Sequence, residues 1–159
     1  MKKNKNVLIL LIVGGLVGVC LLGALAAIAV PNFLKYRYKS KQSEAKYMLK
    51  VLLTKEQEFH TAEGHWALTP RELVEYVNSA PRSSTCFLGP AGGWGGKGGE
   101  VKLEQLPAAV RDRISANTPS GADFTIACAV NLDEDPALDV WTISVSAPDP
   151  RNDFSDLDG

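Results

Sequence analysis

Residues Val7 to Val30 form a run of 24 without a charged side chain, and about 20 apolar residues let a helix cross a bilayer. A helix apolar on every side cannot be a surface helix of a small water-soluble domain. The run is therefore expected to attach the chain to a membrane at its N-terminus. It leaves roughly 95 residues for one small folded head with one modest core. Lys2, Lys3 and Lys5 precede the run, while Lys35, Arg37, Lys39 and Lys41 follow it. Positive charge on both sides leaves the orientation open. The run also exceeds the apolar part of a cleaved secretory signal, about 7–15 residues.

The overall charge of −1 conceals a division. Residues 1–50 carry nine Lys/Arg against one acid, and residues 51–159 carry eight against seventeen. A basic N-terminal part and an acidic remainder can attract each other between copies. The same lysines can instead meet anionic lipid. Both readings stand at this level.

Within the run, Gly14 and Gly18 make a small-xxx-small pair that lets helices approach closely. Pro31 ends the run, and helical patterning resumes at once, so a kink is expected there rather than a stop. Ala45, Met48, Leu49, Leu52 and Phe59 then recur on one apolar face, which should lie on the head's sheet. Lys39, Lys46, Lys50, Lys55, Glu56 and Glu63 are read as lying largely off that face, and Gly64 as the cap. One helix is thus expected from about residue 6 to 63. The chain divides into a membrane or filament-core half-helix at 1–33, an amphipathic half-helix at 34–64, a head at 65–147 and an acidic flexible tail at 148–159.

In the head, Thr69-Pro70-Arg71-Glu72 carries a capping-box pattern, and a short helix to about Asn78 is expected. Thr85 to Leu88 reads as a strand, Gly89 to Gly99 as a glycine-rich loop around Trp94, and Gln105 to Ala116 as a helix presenting Val110 and Ile114. Asp123 to Val130 and Val140 to Ser146 alternate as half-buried strands joined by the turn-rich residues 131–139. Cys20 lies in the apolar run. Cys86 and Cys128 remain as one pair in strand-like segments, read either as a disulfide in an oxidising compartment or as two buried thiols.

The stretch Ala26-Ala27-Ile28-Ala29-Val30-Pro31-Asn32-Phe33-Leu34-Lys35-Tyr36, followed by Lys39-Ser40-Lys41-Gln42-Ser43-Glu44-Ala45-Lys46, closely resembles type IV pilins and pilin-like proteins. Asp135 to Ile143, with Trp141 after an acidic turn, resembles the head of one bacterial branch of that family. The resemblance implies an α+β, ladle-shaped subunit, with a long N-terminal helix packed on an antiparallel sheet. It implies insertion in a bacterial inner membrane with the head in the periplasm. It further implies passage, through the inner-membrane assembly machinery, into an extracellular pilus or a secretion pseudopilus. The expected partners are copies of the chain or other pilins, with the lipid bilayer before assembly. Gly23 and Pro31 have the separation over which pilin helices unwind in filaments.

The resemblance also has departures. Counting back from Pro31, Ile9, Leu10 and Gly14 occupy the places of the family's cleavage-site Gly, its methylated Phe and its early Glu. A second reading follows from them: a non-polymerising, single-span protein with an exposed binding head.

Other chemistry is set aside on composition and spacing. Gly93-Trp94-Gly95-Gly96-Lys97-Gly98 fits G-x-G-x-x-G formally, but no βαβ unit surrounds it. Trp94 is read as displayed at a subunit contact or folded back onto its own head. His60 and His65 lack the further ligands zinc needs. Asn131, Asp133, Asp135 and Asp139 place four oxygen-bearing side chains on one turn, a partial fit to calcium. They are weighed against a solvated acidic turn, and no cofactor is otherwise expected. Lys35 to Lys50 is basic with Tyr36 and Tyr38, yet the head is acidic, so nucleic acid is not an expected partner. No catalytic constellation stands out, and the chain is not expected to be an enzyme.

Overall fold

The computed structural model describes residues 2–73, 75–77, 80–96, 101–132 and 137–155. Contacts divide the chain into two units, residues 1–37 and Tyr38–Gly159. The first helix, α1 (Lys2–Glu63), supplies residues to both.

The first unit is helix. The large apolar side chains from Val7 to Val30 are exposed in the isolated chain, from 51% at Val17 to 73% at Leu10. Pro31 lies inside α1, with helical residues on both sides. The expectation that the helix does not stop there holds.

The second unit is a five-stranded antiparallel sheet with a helix against each face. Its strands are β1 (Ser84–Phe87), β2 (Gly93–Gly95), β3 (Thr125–Val130), β4 (Asp139–Ser144) and β5 (Arg151–Phe154). They lie in the order β2-β1-β3-β4-β5. A second helix, α2 (Ala108–Ser115), joins the β1–β2 hairpin to β3. The α+β expectation is met. Ala45, Met48, Leu49, Leu52 and Phe59 of α1 pack with Cys86, Ile126, Cys128 and Ile143 of the sheet. Period-2 alternation sends the intervening residues to the other side. There Phe87, Ala127, Ala129 and Val140 pack with Val110 and Ile114 of α2.

The second core corrects the half-buried reading of residues 123–130. From Ile126 to Val130 β3 is wholly buried, because its small alanines let α2 come close. Gly64 adopts a left-handed φ of +77°, and its N–H donates to the His60 carbonyl at 2.9 Å. That geometry is an αL cap, as the glycine's position suggested.

Four further expectations need correction. Residues 69–73 are turns rather than a helix, and Asn78 lies outside the described residues. Half of the capping box survives, since Glu72 Oε2 accepts from the N–H groups of Leu68 and Thr69 at 2.8 and 3.2 Å. A segment this short lacks the length to offset helix nucleation.

The helix expected from Gln105 starts at Ala108 instead. Pro107 disfavours helical backbone at the residue before it, and residues 103–105 close a separate 3-10 turn.

Gly93-Trp94-Gly95 is not loop but strand β2, paired to β1 with Trp94 opposite Cys86. Its glycines allow the approach. A Cβ on Gly93 would meet Thr85 Cγ2 at 2.3 Å, and one on Gly95 would meet Pro81 Cγ at 2.4 Å.

Finally, the expected flexible tail contributes β5, which pairs with β4 through Val140–Phe154, Trp141–Asn152 and Thr142–Arg151. Asp153 anchors it, taking hydrogen bonds from Thr142 of β4 and, at 2.6 Å, from Arg113 of α2. Sequence patterning misses β5 because backbone pairing and one acid, rather than an apolar stripe, hold it.

Asn117, just beyond α2, ties the sheet's end together. Its Nδ2 donates to the carbonyls of Leu88 (2.7 Å) and Thr125 (2.6 Å), and its Oδ1 accepts from Thr125 N–H at 3.0 Å. Replacing it with alanine strands buried backbone groups. We expect Asn117→Ala to cost the head about 2–4 kcal/mol by denaturant unfolding. A loss below about 0.5 kcal/mol would contradict this role.

Candidate functional site

Two surfaces matter for function. The first is the apolar helix of the N-terminal unit, whose most apolar 18-residue window has none of its residues buried. A Cβ added at Gly14, Gly15, Gly18 or Gly23 would meet nothing within 4 Å. No contact within the chain thus requires these glycines. The hydropathy and length suffice to cross a membrane.

The second surface is the head's side of α1, where Lys41 and Lys46 of the basic stretch are engaged within the molecule. Lys41 Nζ donates to the carbonyls of Asn131 and Leu132 at 3.0 and 2.9 Å. Gln42 Nε2 donates to Asp139 Oδ2 at 2.5 Å. Glu44 accepts from the N–H groups of Arg82 (2.6 Å) and Ser83 (3.1 Å). Lys46 Nζ sits 3.8 Å from the Trp141 ring centroid, a cation–π contact. One short stretch of helix thereby holds the segment before β1, the β3–β4 connection and β4. Charge counting could not separate these intrachain roles from lipid or copy-to-copy contacts. The alternation of Lys41, Gln42 and Glu44 beside the apolar Ala45 was the available signal.

Glu56 corrects the sequence reading most sharply. It was read as lying off the apolar face, yet it is fully buried. It stands four residues after Leu52 and three before Phe59, which places it on the apolar stripe. Oε2 accepts from Ala67 N–H at 3.1 Å, while Oε1 has no hydrogen-bond partner among the described residues. Burial pushes its carboxyl up to about 8, against the opposing Ala67 hydrogen bond, and the nearby Glu72 carboxylate adds to the rise. At neutral pH Glu56 is mainly protonated. Asp123 moves the other way. Its partial burial acts to raise it, but hydrogen bonds from Ser146, Phe124 and Val145 outweigh that and hold it below the usual range.

The remaining sequence-predicted residues fall as follows. Cys86 and Cys128 face each other on β1 and β3 with Cα atoms 4.0 Å apart, and they form a disulfide. Cys20 is free and exposed on the apolar helix. Asp133 and Asp135 lie outside the described residues. Asp139 is buried and bonded to Gln42, and the Asn131 carbonyl is bonded to Lys41. Among the described residues no three His, Cys, Asp or Glu gather as a metal set. His60 and His65 are engaged with aromatic rings. His60 stacks on Trp66 at 4.0 Å, and His65 meets Phe59 edge-on at 5.2 Å. Trp94 is partly buried against its own head's core, in line with the folded-back reading.

An apolar helix whose glycines serve no intrachain contact, followed by an amphipathic half-helix on an antiparallel sheet, matches what the sequence resemblance implied. No family model matches the chain. A curated relative does: the type IV major pilin protein PilA of Myxococcus xanthus (strain DK1622) is 44% identical over 55 residues. Over those residues the chain is similar to a type IV major pilin. The match covers 35% of this chain and 25% of the relative, so it spans about a quarter of that pilin's length. The pilin-like assignment brings together the candidate membrane helix, the α+β head and the disulfide.

Proposed function

We propose that this pilin-like chain is a structural or assembly subunit of a type IV pilus-like filament or a secretion pseudopilus. Its apolar helix resides in the bacterial inner membrane, with the head in the periplasm, until assembly machinery transfers it among copies of itself or other pilins. The observation that carries the reading is the uniformly exposed apolar surface of residues 7–30, joined to the likeness to a major pilin. A helix apolar all round exchanges lipid for neighbouring helices without exposing that surface to water. Repeating one contact by a rotation that does not close gives a helical fibre. Gly14 and Gly18 are the proposed close-packing positions, and the segment from Gly23 to Pro31 is the proposed hinge. The work assigned to the chain is packing, not catalysis.

The double substitution Gly14→Leu/Gly18→Leu tests this. Filaments sheared from cells should carry at least about tenfold less of the chain, an effect worth about 1.4 kcal/mol or more per subunit contact. The membrane-bound amount should stay unchanged. Equal filament yield in the variant would count against helix packing at these glycines.

The second reading, a single-span anchor with a binding head, draws on Ile9, Leu10 and Gly14 at the family's processing positions. It requires that the chain never enter the sheared fraction.

No cofactor is proposed for assembly. Lys41 already takes the Asn131 and Leu132 carbonyls, and Gln42 takes Asp139. Calcium at millimolar concentration is therefore expected to leave the head's Tm where it was. A rise of several degrees, abolished by Asp133→Asn/Asp135→Asn, would instead place the ion on Asn131, Asp133, Asp135 and Asp139.

A further inference from the structure

Beside the exposed face of Trp94 the head carries a cleft lined by Thr69, Pro70, Arg71, Gly92, Gly93 and Trp94. We propose that this cleft binds a saccharide ring bearing a carboxylate, a uronic acid unit. The proposal does not depend on whether the chain polymerises.

Both walls are fixed by contacts that serve the cleft's shape. On one side Glu72 holds the 68–72 turn through the Leu68 and Thr69 N–H groups. That turn lies directly on Gly89, where an added Cβ would stand 2.8 Å from the Leu68 carbonyl oxygen. On the other side β2 is seated on β1, and Gly93 has no room for a side chain above Thr85 and Phe87. Gly92, at φ +114°, opens into free space. Trp94 packs partly on the head's core, has glycines on both sides in sequence, and keeps part of its surface uncovered.

Arg71 is exposed, and among the described residues its guanidinium has neither an acidic partner nor a hydrogen bond. An aromatic and a proline face provide apolar surface for a sugar ring, and a few polar groups fix its orientation. An unpaired guanidinium takes a carboxylate in two parallel hydrogen bonds. The Thr69 hydroxyl and the Gly92 backbone can serve the sugar's own hydroxyls. An acidic peptide fits less well, because β2 is three residues long and offers too little edge for strand addition.

The test uses the full chain in detergent micelles, titrated with digalacturonic acid and followed by tryptophan fluorescence and by calorimetry. Saturable binding is expected, with neutral galactobiose and tri-glutamate at least about tenfold weaker, the scale of one lost charge-assisted pair. Arg71→Gln should lose a similar factor. Trp94→Phe should abolish the fluorescence response, and Trp94→Ala should weaken calorimetric binding at least about tenfold. No saturable binding would overturn the proposal. So would equal affinity for galactobiose or tri-glutamate, an unaffected Arg71→Gln, or a full fluorescence response in Trp94→Phe.

Discussion

Glu56→Gln is expected to flatten the pH dependence of the head's stability between about pH 5 and 8, and to make the variant the more stable protein at the upper end. The sign follows from where the proton sits. Folded, the carboxyl titrates near 8, whereas its ordinary value is 4.5. Below the ordinary value both states are protonated and the group costs nothing. As pH rises above it, the unfolded chain ionises freely while the folded chain must keep the proton. Stability therefore falls progressively and levels off once pH passes the folded value. A gap of this size corresponds to on the order of 5 kcal/mol.

Glutamine retains the shape and the oxygen that meets Ala67 N–H at 3.1 Å, but it cannot ionise. Asp123, held low, makes a contribution that is lost only as pH falls through its depressed value, outside this window. Denaturant unfolding at pH 5 and pH 8 checks the expectation. Parallel profiles for the two proteins would show that Glu56 does not carry the effect.

Removing the disulfide should cost as much. Cys86 and Cys128 are 42 residues apart in sequence, and closing a loop of that size removes about 4 kcal/mol of unfolded-chain entropy. The bond also joins β1 to β3 at the centre of the five-stranded sheet. Cys86→Ala/Cys128→Ala, or reduction, is expected to lower Tm by ~15 °C. Alanine avoids leaving a buried hydroxyl. A shift of only one or two degrees would mean that the core around Leu49, Leu52 and Ile126 holds the strands without the bond.

The parts of this molecule legible in sequence are those written in apolar periodicity. The stripe from Ala45 to Phe59, the pair Val110 and Ile114, and the alternation in β4 all fell on the faces that pack. What escaped was structure held by other means. β2 is three residues with two glycines, selected by close approach to Thr85, Phe87 and Pro81. β5 is a polar edge strand fixed by Asp153. The second face of β3 is built of alanines, whose smallness hides a buried surface that larger side chains would advertise. Glu56 was misplaced by its chemistry, although its spacing put it on the stripe.

The functional surface divides the same way. The apolar helix is plain from composition, since hydrophobicity on every side has few uses. The roles of Lys41, Gln42, Glu44 and Lys46 could not be read from charge, because each acts on a backbone group, side chain or ring distant in sequence.

The central claim is that residues 7–30 stay with the head and are buried by neighbouring copies in a fibre. Peptide mapping by mass spectrometry of filaments sheared from cells tests it most directly. The account predicts that peptides from Val7 to Val30 and from the head co-sediment in that fraction, with the apolar segment strongly protected from hydrogen exchange. Recovery of the head alone, or of the whole chain only from membranes, would contradict it.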